Sequence, residues 1–68
     1  MLKLKFGQRL KCLRKLSKIT QEQLAEQTGL TIETISNIER GVHAPRFDNL
    51  EKIAEAIDVE VKDLFCFD

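Results

Sequence analysis

The sequence predicts an all-α fold: one compact domain of five helices. Two observations carry this. Apolar residues recur at helical spacing through most of the chain, and no segment shows the alternation of a strand. Two glycines, Gly29 and Gly41, stand where two of these periodic segments end, as left-handed residues that stop a helix.

Residues 4–17 read as the first helix, with Phe6, Leu10 and Leu13 forming one stripe while Arg9, Lys11 and Lys15 occupy other faces. Thr20 opens the second. Its hydroxyl can accept from the backbone three residues on and Gln23 can reach back, the two halves of a capping box. That helix must end at Gly29. Thr31 caps the third, which runs to about Arg40 before Gly41. Ile35 and Ile38 mark its buried side, and Ala25 is small enough to let the second and third helices meet closely. The segment VHAPR is a loop, because Pro45 disfavours helix at Ala44. A fourth helix follows from about Phe47 to Ile57, with Leu50, Ile53, Ala54 and Ile57 on one face. A short fifth spans about Glu60 to Phe65.

Sixty-eight residues allow a single domain and only a small core. No apolar run is long enough for a membrane span, and the amino terminus lacks the apolar core of a secretory signal. Cys12 and Cys66 are too few and too far apart for a zinc site or a disulfide scaffold. They read as reduced thiols of a cytoplasmic protein. No catalytic constellation can be assembled: His43 is the one histidine, and no glycine-rich phosphate loop or metal-ligand cluster accompanies it. No enzyme activity, metal, cofactor or small-molecule ligand is expected.

Net charge is zero, but its distribution is uneven. Residues 1–20 hold seven bases and no acid, whereas residues 21–68 hold four bases against eleven acids. A basic face can therefore coexist with a neutral total, and only that face need meet phosphate. Two helices crossed at a glycine turn are a unit used chiefly to set the second helix into the major groove of DNA.

The segments GQRLKCLRK, TQEQLAEQTG, LTIETISNIERG and NLEKIAEAIDV, at their spacing, resemble the Cro/repressor-type (Xre-type, lambda-repressor-like) helix-turn-helix family over about residues 6–65. The resemblance implies an Arg14–Glu39 ion pair tying the first helix to the third. It implies double-stranded DNA as partner and transcriptional regulation, most simply repression, as function. The first turn of the third helix would enter the groove, making Ile32, Glu33 and Asn37 base-contact candidates with Thr34 and Ser36 in support. Chemically, Ile32 suits a thymine methyl, Glu33 a cytosine amino group and Asn37 an adenine edge. Gln21, at the head of the second helix, takes a phosphate, and Thr31, Arg40, Arg46, Lys18 and Arg14 are further phosphate candidates. The remaining bases of the first helix, Arg9 among them, read as a solvated face.

The chain departs from the family pattern at Lys18 and Asp58, where glycine is common, at Thr28, usually apolar, and at Glu60 and Arg46, where small capping residues are usual. One small module rarely holds a single site in a genome, so a homodimer on an inverted repeat is expected. Val61, Leu64, Phe65 and Phe67 form the candidate contact, Leu64 being the one expected to cap the monomer's own core. The rival function is a helical protein-interaction module, or antitoxin-like adaptor, served by the acidic C-terminal third.

Overall fold

The computed structural model describes residues 1–67. Four α-helices, α1 (Leu2–Leu16), α2 (Gln21–Thr28), α3 (Ile32–Glu39) and α4 (Phe47–Ala56), precede a 3-10 turn at Val61–Phe65. No strand occurs among the described residues. The all-α class stands, with the expected fifth helix reduced to five residues of 3-10 geometry. A segment that short cannot repay the cost of nucleating an α-helix, and the tighter turn is the usual outcome. Asp63 still caps it, its Oδ2 accepting from the Glu60 N–H at 3.0 Å.

Local chemistry sets the helix ends. Thr20 Oγ1 accepts from the Gln23 N–H at 3.0 Å while Gln23 Oε1 accepts from the Thr20 N–H at 2.9 Å, so the capping box closes in both directions. At the far end Gly29 turns the chain with φ 75°. Thr31 Oγ1 caps α3 by accepting from the Thr34 N–H at 3.0 Å. Beyond α3 the chain does not fly free: the Asn37 carbonyl accepts from both the Val42 and the His43 N–H, at 2.9 and 3.3 Å.

The core gathers Phe6 and Leu10 from α1, Leu24 and Ala25 from α2, Ile35 and Ile38 from α3, Leu50, Ile53 and Ala54 from α4, then Ile57 and Leu64. Each large aliphatic side chain withdrawn here contributes about 1.5–3 kcal/mol. Thr28 is also buried, and its hydroxyl is satisfied by donating to the Leu24 carbonyl at 2.8 Å. Its polarity therefore costs little where an apolar residue is usual.

The remaining corners carry side chains. Lys18 and Asp58 both adopt left-handed backbone, with φ 60° and 57°, so the chain keeps the geometry that glycine usually serves. The two corners lie together, because Ser17 Oγ donates to the Ile57 carbonyl at 3.1 Å.

Candidate DNA-reading face

Before α3 can read anything its inner side must be held, and three contacts hold it. Ile35 and Ile38 are enclosed in the core. Gly7 of α1 lies flat on the end of α3, where an added Cβ would fall 2.6 Å from the Glu39 carbonyl oxygen and nearer still to that of Ile38. No larger residue fits without parting the helices. The sequence signal was a lone glycine inside a helical pattern, whose tertiary reason shows only once α3 is in place.

The third contact is ionic. Arg14 Nε donates to Glu39 Oε2 at 2.6 Å and Arg14 Nη2 to Glu39 Oε1 at 3.1 Å, a bidentate pair with side chains 9% and 2% exposed. Arg14 Nη1 donates to the Ile19 carbonyl at 2.8 Å, and Gln21 Nε2 adds a bond to Glu39 Oε1 at 3.0 Å. One carboxylate thus joins α1, α2 and α3. Arg14 is 7% exposed, so the ion pair takes up most of its guanidinium and little of it is left to face a phosphate. Gln21 is half-buried and held by Glu39, with its second amide N–H left over.

Opposite this locked side, Glu33, Asn37 and Arg40 fall four and seven residues apart, a single outward row facing away from Ile35. Glu33 and Arg40 are exposed and Asn37 half-buried. Arg40 Nη2 donates to Asn37 Oδ1 at 2.7 Å, a link between two candidates that spacing alone had kept in separate roles. Ile32, 45% exposed, lies on one flank. Ser36 and Thr34 are half-buried beside the row. Thr31 is occupied: its hydroxyl accepts from the Thr34 N–H and donates to Thr34 Oγ1 at 2.9 Å. Lys18 is exposed at its corner, and Arg46 is exposed at the head of α4, 3.9 Å from an exposed Asp48 in a pair that contributes little.

On the far side of the molecule Leu64 is fully buried and closes the monomer's core, as expected of it. Val61 is half-buried against the same core. Phe65 keeps 41% of its surface in solvent while its ring meets Phe6 at a centroid distance of 5.0 Å. Phe67 is half-buried beside Lys5 and Arg9. Arg9 itself is not a solvated charge: its Nε donates to the Asp63 carbonyl at 3.0 Å and pins the 3-10 turn to α1. The residue that sequence reasoning missed is Phe47, 88% exposed although its spacing puts it on the stripe of Leu50 and Ala54. As the first residue of α4 it projects past the end of the core. With Leu2, Pro45 and Phe65 it rims an apolar depression of about 190 Å³.

No helix among the described residues is long and apolar enough to cross a membrane, and no group of three or more His, Cys, Asp or Glu side chains among them is arranged to hold a metal ion.

Comparison with known proteins agrees with this geometry. The helix-turn-helix family HTH_3 matches residues 10–64. The control protein C.BamHI of Bacillus amyloliquefaciens is 42% identical over 67 residues, covering 97% of this chain and 83% of that protein. The immunity repressor of Bacillus phage phi105 is 42% identical over 55 residues, 81% of this chain but only 38% of the longer repressor. Among solved structures, the restriction-modification controller C.AhdI from Aeromonas hydrophila superposes with a TM-score of 0.88 at 40% identity, over 91% of this chain and 94% of its own. The biofilm regulator SinR, crystallised in complex with DNA, gives 0.81 at 37% identity, over 87% and 95%. A family match over most of the chain, on a fold that presents a polar row from a braced third helix, leaves one assignment: this chain belongs to the helix-turn-helix family, one of DNA-binding transcriptional regulators and not of enzymes.

Proposed function

We propose that this protein binds a specific duplex DNA sequence as a homodimer on an inverted repeat and so controls transcription as a regulator of the repressor and controller type. The observation that carries the reading is the division of α3: its inner side is fixed by Gly7, the core and the Arg14–Glu39 pair, and its outer row is left free. A rigid helix with an unused polar face suits base readout, since contacts to base edges tolerate little slack. The controllers named above, matched over most of both chains, support the controller reading. In this scheme Ile32, Glu33, Thr34, Ser36 and Asn37 face base edges. Gln21, Lys18, Arg40 and Arg46 face the backbone, and Thr31 orders the first turn of α3.

Duplex sequences selected from a random pool test the proposal. One enriched inverted repeat is expected, with half-sites about one helical turn apart. Glu33→Ala should relax the preference at one position of each half-site by about 1–3 kcal/mol. Recovery of no enriched sequence would sink DNA reading and favour the interaction module.

The dimer surface proposed is the apolar rim of Phe65 and Phe47 with Phe67 beside it, since Leu64 is spent on the core. Exposed rings this close together are unusual on a monomer. Sedimentation of the parent and of Phe47→Ala/Phe65→Ala at micromolar concentration should show a dimer becoming a monomer. A double variant that dimerises as well as the parent would remove this surface from the scheme.

A further inference from the structure

Base reading by α3 leaves the uneven charge of the chain unused: seven bases and no acid in residues 1–20, then four bases against eleven acids. That imbalance reaches the surface around the apolar depression. One wall of the depression is the start of α1, with Leu2, Lys3 and Phe6. The other is Pro45 and the start of α4, with Phe47 and Leu50. Lys3 and Lys5 on the α1 side are both exposed. Glu51 stands one turn beyond Phe47 on the same face of α4 and is exposed beside it. No ion pair among the described residues uses Lys3, Lys5 or Glu51. Asp48 has Arg46 at 3.9 Å, and Lys52 and Glu55 line a separate hollow with Gln27 of α2. Glu51 is thus the uncancelled charge on the α4 side.

We infer that a second copy of this chain covers the depression in one register, α1 of each protomer laid on α4 of the other, with Lys3 facing Glu51 of the partner subunit. This rests on the dimer proposed above at the same rim. In a two-fold contact each point of the patch meets the point mirrored across the axis. An axis running along the depression, between its walls, therefore sets the basic wall on the acidic one, twice over. An axis running across it would set lysine on lysine and Glu51 on Glu51, against like-charge repulsion. A patch of one sign would need an unlike partner. This patch carries both signs about an apolar floor, and so complements itself. The rings supply the buried area, while the charges choose the register.

Sedimentation of the parent and of charge-reversed variants over a range of micromolar concentrations tests the register. Lys3→Glu and Glu51→Lys should each weaken self-association by about tenfold or more. Mixed in equal amounts, they should form a heterodimer as tight as the parent's dimer, because both of its contacts again join opposite charges. The parent dimer should loosen as salt rises from about 0.1 to 1 M. Both side chains are exposed, so helical content by circular dichroism should match the parent's in each variant. Two results would overturn the register while leaving the dimer standing: a parent dimer that either reversal leaves unchanged, or a mixture that associates no better than its components. A parent that stays monomeric would overturn the dimer itself, and the register with it.

Discussion

Four corners of this chain take left-handed backbone, and they fall into two unlike pairs. Gly29 and Gly41 bracket α3, whereas Lys18 and Asp58 sit together after α1 and α4, linked through Ser17. The glycines themselves differ. Around Gly29 nothing lies within 4 Å of an added Cβ, so only the backbone conformation favours glycine there. At Gly41 that Cβ would lie 2.8 Å from the Leu4 Cα, and packing forbids it as well. The corners holding α3 are thus built without compromise, while the distant pair tolerates side chains at a conformational cost of about 1 kcal/mol each. The tighter construction lies at the ends of α3.

This contrast can be broken from either side. Glu39→Ala strips the carboxylate that joins three helices and strands a buried guanidinium, so unfolding free energy should fall by about 3–5 kcal/mol. Chemical denaturation would measure it, and a loss under 1 kcal/mol would mean the pair does not brace α3. Gly41→Ala combines left-handed strain with the collision at Leu4 and should cost about 2–4 kcal/mol. Gly29→Ala meets strain alone and should cost about 1 kcal/mol. Equal losses at the two glycines would show that packing at Gly41 relaxes freely. The smallest effect has the opposite sign: Lys18→Gly and Asp58→Gly should each raise the melting temperature through a gain of about 0.5–1 kcal/mol. They should leave the DNA sequence preference untouched. No gain from either would place these corners at no conformational disadvantage.

How much of this could be read beforehand depended on the range of the interaction. Thr20, Gln23, Gly29, Thr31 and Gly41 act on neighbours a few residues away, and each does what its local chemistry implies. Helical periodicity likewise placed Leu10, Ile35, Ile38, Ile53 and Ala54 in the core. Residues whose partner lies far along the chain were less legible. Gly7 matters because α3 presents its last carbonyls there. Arg9 reaches a carbonyl 54 residues away, which no pattern within α1 announces. Phe47 shows the limit of periodicity at an element's end: spacing gives the face of a helix, but not whether the core extends that far. Within the candidate site, the residue types on α3 suggested roles one at a time. The bond between Arg40 and Asn37 depends on side-chain rotamers that spacing does not specify.

The doubly accepting carbonyl of Asn37 has a kinetic meaning. Val42 and His43 belong to no helix, yet their amides are tied to the body of α3. Their hydrogens should exchange with solvent at the pace of the helix's own last turn, as members of one opening unit, although their surroundings look like those of an ordinary exposed loop. A segment already ordered has little freedom to surrender when a partner arrives, so the stretch leading from α3 towards Arg46 would meet a ligand without a folding step of its own.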